Sequence, residues 1–289
     1  MPELAHVSTR IGSLAVEAVG EGPPAILWPS LFCDRRMWRH QVAALAGSHR
    51  LILVDPPAHG ASGPPRGPFT LADCAAAACE VLDAHEVDRA AWVGLSWGGM
   101  TAMHAALDAP ERVRALALLD TSAEAEGWWE GTRSRVLAAL YRRTGFNDFL
   151  LGQVRSILLG RTTLAERPEL ADDLLAAVAD RDRQAVLATI DAVVLERRSI
   201  LPRLGGVAAP TLVVVGAEDR ATPPSRARRI AEAIPGARLE VVAGSGHLSA
   251  LEAPAAVSRL LAGFLAETAP HPAASHPAGT APPPTPDPA

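Results

Sequence analysis

The sequence predicts an α/β protein: a mostly parallel, doubly wound sheet with a helical lid inserted after the sixth strand. Three observations predict it. Short apolar runs rich in β-branched residues alternate with segments of helical spacing, the pattern of a sheet covered on both faces. Residues 122–203 break that alternation with helical patterns alone. The chain has 289 residues, 48% of them apolar, which is enough for one large core.

Taken in order, residues 6–19 read as two alternating strands around Gly12-Ser13. "AILW" (25–28) is a short apolar strand followed by an irregular loop, and "MWRHQVAALAG" has helical spacing that ends in glycine. "RLILVD" (50–55) is a buried-type strand that runs into the Pro/Gly-rich loop "PPAHGASGPPRGP". Thr70 is an N-cap with Asp73 three residues on, and the alanine-rich helix it starts extends to about His85. "AAWVGLS" is the next strand, followed by a helix to about Ala109, which Pro110 stops. "VRALALLD" (113–120), "TLVVVGAED" (211–219) and "RLEVVAG" (238–244) complete the strands. The expected organisation is a core of residues 1–121 and 204–268, a helical cap over 122–203, and a Pro/Ala-rich disordered tail over 269–289.

A net charge of −5 argues against a nucleic-acid or anionic-membrane surface. All 27 basic residues are arginine, which excludes a P-loop lysine, a Schiff-base lysine and a Ser-Lys dyad. The three cysteines (Cys33, Cys74 and Cys79) suit neither a disulfide framework nor a zinc site. There is no signal-peptide pattern and no apolar run of the roughly 18 residues a span needs, so the expected location is cytoplasmic. The oligomeric state stays open.

In "AAWVGLSWGGMTAMHAAL" a serine stands between Gly94 and Gly98 at a strand-to-helix junction. Such a turn needs small neighbours, because strand and helix backbones nearly touch, and it exposes the hydroxyl. This is the nucleophile elbow Gly-x-Ser-x-Gly. The competing reading of Ser96 is a plain helix N-cap. A hydroxyl attacks only with a base, and the base needs an acid to orient it. Beyond the following helix the histidines are His247, His271 and His276, and the last two lie in the Pro-rich tail. His247, in "GSGHLSALEAP" just past the last strand, is the base. "VVVGAEDRATPP" offers Glu218 and Asp219; Asp219, further out on the loop, is the chosen acid, and Asp120 is its rival. Asp55 is read as shaping its own loop. One oxyanion donor is the Trp97 N–H, directly after the nucleophile; the other comes from the loop "WPSLFCDRRMW".

Together, "GLSWGG", "DPPAHGAS", "GAEDRATPP", "GSGHLSALEAP" and "RRMWRHQV" resemble the α/β-hydrolase fold family, in its small esterase, enol-lactonase and cofactor-free haloperoxidase branch. The resemblance spans roughly residues 7–266. It implies that Leu31 supplies the second oxyanion N–H. Many relatives carry His-Gly before that position, where this chain departs with Pro29-Ser30; its Ser30-Leu31 pair followed by "MW" resembles the 3-oxoadipate enol-lactonase form of the loop.

The expected activity is hydrolysis of a small carboxylic ester or lactone through an acyl-enzyme on Ser96, with no metal and no organic cofactor. The alternatives are a C–C bond hydrolase or cofactor-free perhydrolase of the same fold, or a non-catalytic ligand-binding protein. Phe32, Trp128, Trp129 and Leu248 are the candidate pocket residues, against ordinary lid packing for the two tryptophans. Arg133, Arg135, Arg142 and Arg143 are either a carboxylate-binding group or a solvated helix face.

Overall fold

The structure is a computed structural model that describes residues 4–179 and 182–270. Eight strands form one sheet: β1 (Leu4–Thr9), β2 (Gly12–Val19), β3 (Pro24–Trp28), β4 (Arg50–Val54), β5 (Ala90–Leu95), β6 (Val113–Leu119), β7 (Thr211–Gly216) and β8 (Arg238–Val242). Their spatial order is β1-β2-β4-β3-β5-β6-β7-β8. β1, β2 and β4 pair antiparallel, and from β4 onward every pair is parallel.

The order reverses at β3. The chain leaves β3 for β4 on one side and returns to β5 on the other. Crossovers therefore diverge between β3 and β5, and a crevice opens at the carboxyl ends of those two strands. Trp28 is in register with Gly94, so the loops that leave both strands begin at the same level. The expected site loop and the expected elbow are thus neighbours by topology alone.

The helices are α1 (Arg39–Leu45), α2 (Leu71–Ala84), α3 (Trp97–Asp108), α4 (Trp128–Thr144), α5 (Asp148–Leu158), α6 (Arg161–Glu166), α7 (Pro168–Ala179), α8 (Arg183–Ile190), α9 (Pro224–Ala233), α10 (Ser249–Glu252) and α11 (Pro254–Glu267). Side-chain alternation along β5 divides the core. Trp92 packs with α2, α3 and α9 on one face, while Ala91, Val93 and Leu95 pack with α1 and α11 on the other. Each central strand is buried on both faces, which explains its near-continuous apolar run.

Among the described residues, helices α4 to α8 fill the chain between β6 and β7, where the sequence shows no strand pattern. The capping box expected at Thr70 is present: its hydroxyl accepts from Asp73 N, and the Asp73 carboxylate accepts from Thr70 N. Most of the expected 269–289 tail lies outside the described residues. No helix among the described residues is long and apolar enough to cross a membrane. Thr70→Ala removes one end of the capping box and is expected to cost about 1 kcal/mol, read as a lower urea midpoint at unchanged slope.

Candidate active site

Ser96 sits at φ 54°, ψ −107°, a left-handed backbone that a β-carbon disfavours by roughly 1–3 kcal/mol. Its neighbours impose the turn. A Cβ on Gly94 would fall on the Gly98 carbonyl, and one on Gly98 would fall on the Trp28 carbonyl. A Cβ on Gly99 would lie 2.7 Å from Thr121 Cβ. The turn is tied down on both sides: Ser96 N donates to Leu119 O at 2.8 Å, and Thr121 Oγ1 donates to Ser96 O at 2.7 Å. The Ser96 side chain makes no cap hydrogen bond to α3, so the N-cap reading does not describe it.

Trp97 anchors the start of α3. Its buried ring meets Trp28, His59 and Phe69 with centroids 5.9, 5.5 and 6.2 Å away. The side chain goes into the core, and the backbone N–H stays at the end of the helix beside Ser96, where the helix dipole is positive.

His247 is buried and in contact with Asp219. Nδ1 lies 2.9 Å from Asp219 Oδ2 and 3.0 Å from Oδ1. That geometry puts the proton on Nδ1 and leaves Nε2 with a lone pair. Burial pulls the imidazolium pKa down, but the charge and hydrogen bond of Asp219, with Asp120 and Glu252 behind them, outweigh it; the net shift is upward.

Glu218, the other carboxylate of that loop, turns away and accepts from Thr162 N and Oγ1. Asp120, the rival acid, is fully buried and accepts Gly216 N at 2.9 Å and Ser249 N at 3.0 Å. It ties the end of β7 to the residue pair after His247. Burial, and then the nearby Asp219 charge, push its pKa up. Asp55 shapes its loop as expected, accepting Arg35 N and Ala61 N at 2.8 Å each.

Three residues that escaped the sequence reading complete the surroundings. Thr222 Oγ1 donates to Asp219 Oδ2 at 2.9 Å, while Ala221 N and Thr222 N both donate to Oδ1 at 2.9 Å. An Asp followed three residues later by Thr is a side-chain-capped turn, and "DRAT" carried that signal. Glu252 accepts Gly160 N, Gly246 N and Leu248 N at 2.8, 3.0 and 2.9 Å, and so holds the His247 loop from beneath. His59 Nδ1 donates to Pro57 O at 2.8 Å, and its Nε2 accepts Phe32 N at 3.0 Å. This fixes the loop after β3, where Phe32 stands at φ 67°. The Phe32 N–H is therefore occupied, whereas the Leu31 N–H meets no acceptor among the described residues.

Ser30, Leu31, Phe32, Ser96, Thr222 and His247 line one cavity of about 210 Å³, with α4, α5 and the segment after α8 supplying most of the rest of its lining. The structure does not bring the other pocket candidates there. Trp128 and Trp129 stand 71% and 77% exposed at the first turn of α4, edge to face on each other at 4.1 Å. Their helical positions point outward, and Leu137, Ala138 and Tyr141 face the cavity instead. Leu248 is fully buried in the core next to His247. Of the four arginines, Arg133 lines the cavity; Arg142 faces Asp191 at 3.9 Å, and Arg135 and Arg143 lie outside the lining. No group of His, Cys, Asp and Glu among the described residues is arranged to hold a metal.

The fold and this arrangement define an α/β hydrolase. Residues 23–254 match the alpha/beta hydrolase fold family, and the chain belongs to it. RutD of Azorhizobium caulinodans, provisionally named a carbamate hydrolase, is 30% identical over 259 residues, 88% of this chain and 95% of its own. The 3-oxoadipate enol-lactonase 2 of Acinetobacter baylyi is 28% identical over 238 residues, 81% of this chain and 85% of its own. A thermophilic esterase of Thermogutta terrifontis, solved with malate bound, superposes with a TM-score of 0.85 at 26% identity, covering 93% of this chain and 100% of the esterase. The resemblance read from the motifs is the relationship found.

Glu252→Ala leaves three buried N–H groups without their acceptor. The expected loss is on the order of 3 kcal/mol or more, read by thermal or chemical unfolding.

Proposed function

We propose that this α/β hydrolase cleaves small carboxylic esters or lactones through an acyl-enzyme on Ser96. The contact that carries the reading is His247 Nδ1 held by Asp219 at 2.9 Å, with His247 and Ser96 on one cavity wall. In this account His247 Nε2 takes the Ser96 proton as Oγ attacks the carbonyl carbon. Asp219 keeps the ring in the required tautomer and stabilises the imidazolium that forms. The N–H groups of Leu31 and Trp97 receive the oxyanion. His247 then gives the proton to the leaving alkoxide. A water, deprotonated by the same nitrogen, attacks the acyl carbon, and collapse of the second tetrahedral intermediate frees the acid and returns the proton to Ser96.

Thr222 and Glu252 act through the acid and the base rather than on the substrate. The helices over 122–203 serve as the cap: their apolar side chains supply much of the cavity lining, which lowers the local polarity around the reacting groups and strengthens charge interactions there.

The test is hydrolysis of short-chain p-nitrophenyl esters by the wild type and by Ser96→Ala, with circular dichroism to show that both are folded. The expected loss is on the order of 10³-fold or more; equal activity of the two proteins contradicts the reading. The base must be neutral to work, and its pKa is raised, so kcat/KM is expected to climb through an apparent pKa above about 6.5. A limb at or below that value removes the Asp219–His247 coupling from the account.

A further inference from the structure

Two arginines and one glutamate, Arg133, Arg197 and Glu126, bring formal charge into an otherwise mainly apolar cavity. Arg197 is the unusual one. It is half-buried, yet each group that fixes it is neutral: Nε donates to Glu124 O at 3.0 Å, Nη1 donates to Val193 O at 3.3 Å, and Nη1 lies 3.9 Å from Met100 Sδ. No carboxylate comes within ion-pair distance of it among the described residues, and Nη2 has no hydrogen-bond partner there. Glu124 pairs with Arg229 and Glu130 with Arg226. Glu126 accepts Ser134 Oγ at 3.1 Å through Oε1, and its buried Oε2, not within ion-pair distance of Arg197, has no hydrogen-bond partner among the described residues. Burial, only partly offset by the charges of Glu126, Glu130 and Glu124, pulls the Arg197 pKa down.

A guanidinium taken from water without a counter-ion is costly unless something pairs with it. Its position says what that something touches. Met100 lines the cavity, and its N–H donates to Ser96 O at 3.0 Å, so the guanidinium meets the side chain of a residue one helical turn from the elbow. Arg197 also lines a second cleft together with Glu126 and Trp128.

We propose that Arg197 is an anion subsite of the reaction cavity, and that the substrate is an ester or lactone that carries its own carboxylate. The proposal rests on the hydrolase reading above and narrows it. The carboxylate takes the open Nη2 edge of Arg197, with Arg133 as a second cation on the same wall. The apolar part lies against Leu137, Tyr141 and Phe146, and the scissile carbonyl reaches Ser96. Glu126 opposes the anion; with two arginines against it the charged lining still carries one net positive charge. Arg197 is a specificity-determining residue in this account and takes no part in bond making.

The experiment compares two esters of equal acyl length, mono-p-nitrophenyl glutarate and p-nitrophenyl valerate, on the wild type, Arg197→Met, Arg197→Lys and Glu126→Gln. Arg197→Met is expected to lower kcat/KM for the glutarate ester by about tenfold or more, and for the valerate ester by less than about threefold. Arg197→Lys restores part of the loss, because the charge survives without the planar fork. Glu126→Gln raises the glutarate-to-valerate ratio. Equal losses on both esters, or no change on either, overturn the proposal. If the wild type cleaves neither ester, calorimetry with monomethyl glutarate decides separately. Binding that Arg197→Met abolishes and Arg197→Lys retains supports the anion subsite even though the hydrolase reading has failed. Binding that is absent, or indifferent to Arg197, overturns it.

Discussion

The contact of the Gly98 backbone with the Trp28 carbonyl is the constraint on which the other features depend. It brings the start of α3 against the end of β3, closer than any side chain permits. Ser96 is thereby forced into a left-handed turn at the point where the crossovers diverge. From that one approach the Ser96 hydroxyl, the Trp97 N–H and the loop carrying Leu31 come to share a crevice. The strain at Ser96 is offset by burial on both sides of the turn: the Trp97 ring sinks among Trp28, His59 and Phe69, and Leu119 and Thr121 hold the Ser96 backbone.

A second layer positions His247 and Asp219 with buried carboxylates. Asp120 joins the end of β7 to Ser249, and Glu252 gathers Gly160, Gly246 and Leu248. Neither touches the imidazole by a hydrogen bond among the described residues, yet both raise its proton affinity through their charge. Three carboxylates around one buried histidine shift its pKa upward, and Asp219, with Thr222 Oγ1 3.3 Å from Nδ1, fixes the ring. Glu252 also reaches Gly160, at the start of the short helix α6, so the segment between β6 and β7 is fastened to the His247 loop rather than merely resting on it.

What the sequence disclosed was what is local. Strand runs such as "TLVVVG", the glycines around Ser96 and the Thr70–Asp73 cap are determined within a few residues, and each appears where expected. Asp219 and His247 could be picked out because each lies on the loop just past a strand, and the structure brings the two side chains into contact. What stayed hidden acts across the chain. Glu252 holds a residue 92 positions away, and Arg197 meets Met100 97 positions away. No periodicity or spacing rule reports such pairs. Trp128 and Trp129 show the opposite failure. Adjacent aromatics at the start of the helical segment suggested a pocket wall, but which face of a helix meets the cavity is set by how the helix docks, which no local pattern reports. The register of α4 turns Leu137, Ala138 and Tyr141 inward and leaves the tryptophans in solvent.

The central claim is that the strained turn presents an activated serine, and active-site labelling tests it most directly. The protein would be treated with a fluorophosphonate, which phosphonylates only a serine with a working base and oxyanion site, then digested and mapped by mass spectrometry. The account predicts one stoichiometric adduct, on Ser96. No adduct on the folded protein, or an adduct on a serine elsewhere, would contradict it.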